Sequence, residues 1–341
     1  MKAISRLGLI VVFGLASLLA SQKYDMEQKG ALDMSYNKHI YGTPQIEAIK
    51  NWGLGTHTAG VISGSVIEGN GGSIEPLTMG QPIQGIRGWN GLGELFTTLQ
   101  EKYFAIIFLC ILLFVPLAFF GHYKIIGARK YNHHSKLQVF SKYNIIVHWF
   151  AAVPFVLICI TGLMMIFGDK LGGGTLIRFA RDLHGLSTPV FIVFGFLMFL
   201  MWVKDCLPRS YDIKWLIIMG GYLDKQNRII PAHKFNAGQK MWFWIATLGG
   251  GVMAFTGGVM FFQYTDINTL RLVAIVHNVL GFAVLALLIT HIYMAAFAIE
   301  GAMEAITNGQ MGEEELSMLH SYYYEELKAK GKLDSMRVAG H

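Results

Sequence analysis

The sequence predicts an all-α membrane protein: a transmembrane helix bundle with a four-helix core, one extra N-terminal transmembrane helix and an irregular extracytoplasmic N-terminal segment. The 341 residues are 53% hydrophobic and only 15% charged, whereas soluble domains average about 25% charged residues. Five long apolar runs contain no internal Asp, Glu, Lys or Arg. The three cysteines form no CxxC pair, which excludes a disulfide scaffold and any cysteine-ligated iron–sulfur or zinc site built by this chain alone.

The N-terminal residues 1–21 have the layout of a signal peptide. Lys2 and Arg6 precede a short apolar run, and the small residues Ala20 and Ser21 follow it. An uncleaved membrane anchor is the alternative, and both place the next segment outside the cytoplasm. Residues 22–102 are rich in glycine and weakly patterned, so we predict an irregular extracytoplasmic segment there.

Each of the five apolar runs is close to the roughly 20 residues that a helix needs to cross a bilayer. Because lipid cannot satisfy backbone polar groups, these runs are predicted to be helices. We name them spans 1 to 5. Span 1 is the extra helix, residues 122–299 contain the four-helix core, and residues 300–341 form a cytoplasmic tail of helix and coil. The predicted spans are Tyr103–Gly121, Ile145–Phe167, Thr188–Val203 with a helix beginning near Phe179, Met241–Phe262 and Leu272–Ile299.

Loop charges predict the orientation of the spans, because basic residues accumulate in cytoplasmic loops. The loops between spans 1 and 2 and between spans 3 and 4 are strongly basic, whereas the loop between spans 4 and 5 is very short. The chain is therefore predicted to lie in a bacterial inner membrane with its C-terminus in the cytoplasm. The net charge of +6 does not imply a nucleic-acid partner, because the basic residues lie where the positive-inside rule places them. The basic loop residues are Lys124, Arg129, Lys130, Lys136, Lys142, Lys204, Arg209, Lys214, Lys225, Arg228, Lys234 and Lys240.

Four of the twelve histidines lie in or at the ends of spans, where ionisable groups are costly and usually functional. His148 and His291 fall on the predicted cytoplasmic side, and we call them the inner pair. His184 and His277 fall on the predicted outer side, and we call them the outer pair. The other eight are expected to be solvated: His39, His57, His122, His133, His134, His233, His320 and His341.

Span 5 carries one member of each pair. His277 and His291 are fourteen residues apart, or about 21 Å along a helix, and their side chains face nearly the same direction. Two b-type haems, each held by two neutral imidazoles, need this arrangement. A zinc site fits less well, because no Cys, Asp or Glu lies at those depths to complete four ligands. The alternative is that these histidines only hydrogen-bond neighbouring helices.

Spans 2 and 4 share a short internal repeat. Span 2 ends with ITGLMMIF over Ile160–Phe167, and span 4 ends with FTGGVMFF over Phe255–Phe262. The similarity suggests that spans 2 and 3 are related to spans 4 and 5 as helix pairs.

Five motifs then point to a family. They are His148-Trp149, Leu183-His184, KFNAGQK at Lys234–Lys240, AIVH at Ala274–His277 and HIYMA at His291–Ala295. The run from Lys142 to about Lys332, over half of the chain, resembles the cytochrome b (gamma) subunit of membrane-bound formate dehydrogenase, a di-haem cytochrome b. That family has a four-helix di-haem core, so span 1 and the glycine-rich segment lie outside it.

The resemblance implies a role for each of these residues. His184 and His277 would be the axial ligands of an outer b haem, and His148 and His291 those of an inner b haem. A quinone pocket would lie near His291, Asn236 and Gly238. A side-chain amide and a backbone N–H are suitable partners for quinone oxygens. The alternative for Asn236 is that it caps the N-terminus of span 4.

The same resemblance implies that the chain transfers electrons in anaerobic respiration and has no catalytic residue for formate itself. A molybdenum or tungsten subunit outside the membrane would oxidise formate, and an iron–sulfur subunit would pass the electrons to the outer haem. The chain would then reduce a quinone, in particular menaquinone, near the cytoplasmic side.

Three other functions stay open. The histidines also fit the cytochrome b subunit of a hydrogenase or a related respiratory oxidoreductase. A transporter with a histidine proton relay predicts broken helices and mid-membrane carboxylates, and the sequence has neither. A membrane metalloenzyme predicts histidines gathered at one depth, whereas these divide between two.

Overall fold

The structure is a computed structural model, and it describes residues 90–338 apart from residues 133, 264 and 266. The predicted signal segment, most of the glycine-rich segment and four of the loop and terminal histidines lie outside the described residues. The described chain divides into two compact units. The first contains residues 90–105, 156–190 and 257–276, and the second contains residues 106–155, 191–256 and 277–338.

Five helices in the described part of the chain are long and apolar enough to cross a membrane. This confirms the prediction of an all-helical, multi-pass membrane protein. Their order is that of the five predicted runs, and we keep the names spans 1 to 5. The observed spans are Leu95–Ile125, Lys142–Ile166, Gly174–Trp202, Ala237–Phe262 and Asn268–Ala296.

The spans contain local departures from α-helical geometry. Spans 1, 2 and 3 each carry an internal proline, Pro116, Pro154 and Pro189; packed neighbours make such prolines tolerable in membrane helices. Spans 1 and 4 each contain a π-helical turn. The helix of span 1 consists of α-helix Asn90–Thr98, π-helix Leu99–Tyr103 and α-helix Phe104–Ile125. Span 4 consists of α-helix Ala237–Trp244, π-helix Ile245–Gly249 and α-helix Gly250–Phe262. The helix of span 5 is α-helix Ile267–Ala296.

Two helices begin earlier than the hydropathy pattern predicts. The helix of span 3 begins at Gly174 rather than near Phe179. The helix that continues into span 1 begins at Asn90, within the segment predicted to be irregular. Phe96 explains the second difference: it is 2% exposed and packs with Val259, Leu270 and Ala274. Burial of this ring outweighs the weak helical preference of the glycine-rich sequence.

The C-terminal tail is more ordered than the sequence indicates. It supplies strand β2, Gln310–Gly312, which pairs antiparallel with strand β1, Lys136–Gln138. Leu137 at the centre of β1 is fully buried against leucines of the tail. The strand pair was not predicted. The helices outside the spans are Ser210–Ile217, a 3₁₀ turn at Met219–Gly221, Glu304–Thr307, Glu313–Leu319, Ser321–Ala329 and Leu333–Met336.

The prediction that the loop and terminal histidines are solvated is wrong for His122 and His320. His122 lies in the helix of span 1, where Nδ1 is 2.6 Å from the Tyr293 hydroxyl and Nε2 is 2.8 Å from the Tyr222 carbonyl. His320 is 3% exposed, and its Nδ1 is 2.7 Å from the His233 carbonyl. These rings tie neighbouring segments together, which their positions in the sequence do not reveal.

Candidate functional site

The inner pair lies among aromatic side chains of the second unit. The ring of His291 stacks on that of Trp242, with centroids 5.1 Å apart and planes 18° apart. His148 is close enough to His291 to act on it electrostatically. Nδ1 of His148 is buried and has no hydrogen-bond partner among the described residues. Spans 2 and 5 therefore place these two imidazoles within electrostatic range of each other, and His291 lies beside a tryptophan of span 4.

A wall of aromatic rings continues from Trp242. Phe155 of span 2 contacts Trp242 edge to face at 5.6 Å and Phe191 of span 3 at 5.0 Å. A Cβ at Gly250 would lie 2.7 Å from the ring of Phe191, so only glycine allows this close approach. These rings make the surroundings of His291 apolar on the side of Trp242.

Asn236 caps the N-terminus of span 4. Its Oδ1 accepts a hydrogen bond from the Gln239 backbone N–H, and Oε1 of Gln239 accepts one from the Asn236 backbone N–H, both at 2.9 Å. This reciprocal capping box satisfies two donors of the first helical turn. The capping alternative for Asn236 is therefore confirmed, and its side-chain amide N–H₂ group is not used by the cap.

A buried ion pair stands next to this cap. Nζ of Lys240 lies 2.8 Å from Oδ2 of Asp212 and 3.0 Å from Oδ1, and both residues are buried. Gly238 packs against Trp215: an added Cβ would be 2.9 Å from the indole. The short helix Ser210–Ile217 supplies Asp212 and Trp215, and so fixes where span 4 begins.

Each member of the outer pair contacts a threonine. Thr161 Oγ1 lies 3.1 Å from Nδ1 of His184 in the first unit. Thr256 Oγ1 lies 2.9 Å from Nδ1 of His277 in the second unit. A Cβ at Gly162 would be 3.5 Å from the ring of His184. Neither contact was predicted from the sequence, although Thr161 and Thr256 hold the second position of each copy of the internal repeat.

The donor chemistry fits axial ligation of haem. The described residues contain no group of three or more His, Cys, Asp or Glu side chains that could hold a metal ion. A four-ligand zinc site therefore fits them less well than haem, which needs one or two axial imidazoles. The buried Nδ1 of His148 is also a polar atom that no other described residue satisfies.

Comparison with known proteins identifies the family. A family model described as prokaryotic cytochrome b561 matches residues 139–309, which is half of the chain. The nitrate-inducible formate dehydrogenase cytochrome b556(Fdn) subunit of Escherichia coli is 26% identical over 200 residues, covering 55% of this chain and 90% of that protein. The formate dehydrogenase cytochrome b556 subunit of Haemophilus influenzae is 27% identical over 195 residues, covering 53% and 79%. Residues 139–309, which the family model matches, contain all four span histidines. The chain belongs to the prokaryotic cytochrome b561 family.

Proposed function

We propose that this chain is the membrane-anchoring di-haem cytochrome b subunit of a respiratory formate dehydrogenase. It carries electrons from an extracytoplasmic iron–sulfur subunit to quinone near the cytoplasmic side, and a partner subunit with molybdenum or tungsten oxidises formate. The observation that carries the proposal is the similarity of this cytochrome b561 family member to formate dehydrogenase cytochrome b556 subunits. The predicted division of the four span histidines into two pairs agrees with it.

Membership of a cytochrome b family implies haem b. When bound, haem b supplies an iron centre that exchanges one electron. We assign His184 and His277 to the outer haem and His148 and His291 to the inner haem. The protein residues would orient these imidazoles, and the rings of Trp242 and its neighbours would keep water from the inner iron.

The orientation in the membrane belongs to the same proposal. The two basic loops and the C-terminal tail would face the cytoplasm, since positive charge accumulates on that side. The histidines of the inner pair would then lie near the cytoplasmic surface. Reduction of quinone on this side would take up cytoplasmic protons, and each electron that crosses stores about 2.3 kcal/mol per 100 mV.

The quinone pocket is proposed beside His291, Asn236 and Gly238, with menaquinone as its occupant. Asn236 is 8% exposed, and its amide N–H₂ group remains as a donor beside the capping oxygen. Gly238 is the second residue of its helix, so its N–H has no acceptor within the helix. Two neutral donors of this kind suit the two carbonyl oxygens of a quinone.

One experiment tests the partner and the pocket together. Membranes that contain the whole complex receive formate, and reduction of b haem is followed by difference spectroscopy before a menaquinone analogue is added to reoxidise it. Reduction by formate is expected; reduction by hydrogen and not by formate would instead indicate a hydrogenase partner.

Two variants of Asn236 separate the pocket from the cap. Asn236→Ser keeps an oxygen for the cap and loses the amide donor, so reduction by formate is expected to persist while reoxidation slows about tenfold. Asn236→Ala loses both, with a further loss of about 1 kcal/mol of stability. Reoxidation at the normal rate in Asn236→Ser would leave Asn236 with the cap alone.

A further inference from the structure

The short helix Ser210–Ile217, which lies between spans 3 and 4, exposes an apolar face. We call it the loop helix. Ile213, Leu216 and Ile217 are 65%, 41% and 77% exposed, and residues three or four positions apart lie on one face of a helix. A helix face in water is normally polar, whereas neighbouring exposed apolar residues are typical of an interaction surface. Two further exposed apolar residues follow the loop helix, Met219 and Leu223.

The buried residues of the loop helix attach it to the first turn of span 4. Asp212 forms the buried ion pair with Lys240, whose Nζ is 2.8 Å from Oδ2 of the aspartate. A Cβ at Gly238 would lie 2.9 Å from the indole of Trp215. Span 4 begins at residue 237, so its contacts with the loop helix lie within its first four residues. The loop helix therefore lies at the level where span 4 begins.

A second contact fixes the depth of the residues that follow the loop helix. The Tyr222 carbonyl oxygen is 2.8 Å from Nε2 of His122, and His122 lies in the last turn of span 1, which ends at Ile125. Spans 1 and 4 have 31 and 26 residues, or about 46 and 39 Å of helix, whereas the hydrocarbon core of a bilayer is about 30 Å thick. The terminal turns of these spans therefore lie in the headgroup layer, together with the segment that contacts them.

Unpaired lysines lie before, within and after the loop helix. Lys204, Lys214 and Lys225 are exposed, and none of them forms an ion pair with an acidic side chain of the described residues. The acidic residues of the same loop are already paired, Asp205 with Lys234, Asp212 with Lys240 and Asp224 with Arg228. Positive charge beside an apolar face, at the level of the lipid headgroups, is typical of a segment that lies in the membrane interface.

We propose that the loop helix is an interfacial anchor: its apolar face inserts into the adjacent leaflet, and Lys204, Lys214 and Lys225 bind the phosphates of anionic phospholipids. Burial of apolar area and attraction to anionic lipid together hold such helices in the interface. Lipid on one side and span 4 on the other then fix the position of the loop helix. Only the assignment of this leaflet to the cytoplasm rests on the proposed function.

The test is photo-cross-linking of the full chain in native membranes, with adducts identified by mass spectrometry. Ile217→p-benzoylphenylalanine places the cross-linker on the apolar face, at a side chain so exposed that the fold is expected to tolerate it. The same replacement of Phe120, an exposed residue of span 1, is the positive control. Replacement of Glu325, an exposed residue of the C-terminal tail, is the negative control. A phospholipid adduct is expected at Ile217 and Phe120, and not at Glu325.

Two results would overturn the proposal. One is a cross-link from Ile217 to another protein, whether a partner subunit or a second copy of this chain. The other is the absence of a lipid adduct at Ile217 under conditions in which Phe120 gives one. Neither result depends on haem, so both differ from a native protein without haem, which would contradict the proposed function.

Lipid composition tests the role of the lysines. The holoprotein is reconstituted in vesicles of equal parts phosphatidylglycerol and phosphatidylethanolamine, and the adduct at Ile217 is expected to be richer in phosphatidylglycerol than the adduct at Phe120. Lys214→Gln is expected to lower this enrichment by up to about fivefold, since a basic residue near an anionic surface adds binding energy. Lys328→Gln, at an exposed lysine of the tail, is the control. An equal share of phosphatidylglycerol at Ile217 and Phe120 would overturn the role of the lysines.

Discussion

The outer and inner pairs of histidines are held by different kinds of interaction. Nδ1 of each outer histidine lies within hydrogen-bond distance of a threonine hydroxyl in the neighbouring span. In the inner pair, His291 stacks on Trp242, and Nδ1 of His148 has no partner among the described residues. A hydrogen bond fixes both the tautomer and the direction of an imidazole, whereas stacking restrains only the plane of its ring. Under the proposed ligand assignment, this difference would give the two haems different reduction potentials.

Removal of one histidine from each pair is expected to have the largest effect, because it would remove one proposed haem and leave the other. His277→Ala and His291→Ala are each expected to leave one haem per chain, the inner and the outer haem respectively, because a lost imidazole cannot be replaced. Pyridine haemochrome spectra of the purified variants measure this number. His122→Gln is the control, since His122 lies in span 1 and bonds Tyr293. Two haems in His291→Ala would remove that residue from the ligand set.

The buried ion pair at the start of span 4 gives the next largest expected effect. Lys240→Met or Asp212→Asn leaves one buried charge without its partner, at a cost on the order of 3–5 kcal/mol. The double variant is expected to lose less than either single variant. Thermal unfolding in mild detergent measures the loss, and the exposed Lys214→Met is the control. An equal loss in Lys214→Met would show that the pair has no special role.

The stability of the C-terminal tail is expected to depend on pH. The tail contacts the surroundings of the inner pair, because Trp149, the neighbour of His148 in the sequence, donates a hydrogen bond to the Ile306 carbonyl oxygen at 2.9 Å. Burial raises the pKa of Glu315 from 4.5 to about 7, and Glu304 adds repulsion. Folding therefore favours the protonated carboxyl, and the stability of the tail falls as pH rises from about 4.5 to 7. Above pH 7, Glu315→Gln is expected to stabilise the tail by up to about 3 kcal/mol.

Hydrogen exchange of residues 313–329, compared between Glu315→Gln and the native protein at each pH, measures this increase in the stability of the tail. His320 acts in the opposite sense: burial lowers its pKa from 6.5 to about 4, so its contribution is lost as pH falls between those values. The contribution of His320 is the same in Glu315→Gln and in the native protein, so it cancels when the two are compared. The exposed Glu325→Gln is the control. A gain that does not vanish towards pH 4.5 would contradict the assignment to Glu315.

Substitution of Trp242 gives the smallest expected effect, but it affects the surroundings of the inner pair alone. Trp242→Leu removes a stacked ring worth about 0.5–1.5 kcal/mol. The g values of the proposed inner haem are expected to change while those of the proposed outer haem stay the same. Electron paramagnetic resonance resolves the two haems. A change confined to the outer haem would contradict the proximity of Trp242 to an inner ligand.

The sequence predicts the five spans and the four span histidines well, because hydropathy and rare intramembrane ionisable groups are local signals. It does not predict that the chain is helical from Asn90, since that depends on burial of Phe96 against distant residues. The strand pair and the buried His320 likewise depend on contacts of the tail with distant loops. The two threonines had a visible signal, the internal repeat, but only the structure shows that both copies bond a histidine.

The proposed function requires that the four span histidines hold two b haems. The most direct measurement is a redox titration of the purified chain in mild detergent, combined with haem per polypeptide from pyridine haemochrome spectra. Two b haems that titrate in two separate steps are the expected result. A folded preparation, grown with sufficient haem, that contains no haem or only one would contradict the claim.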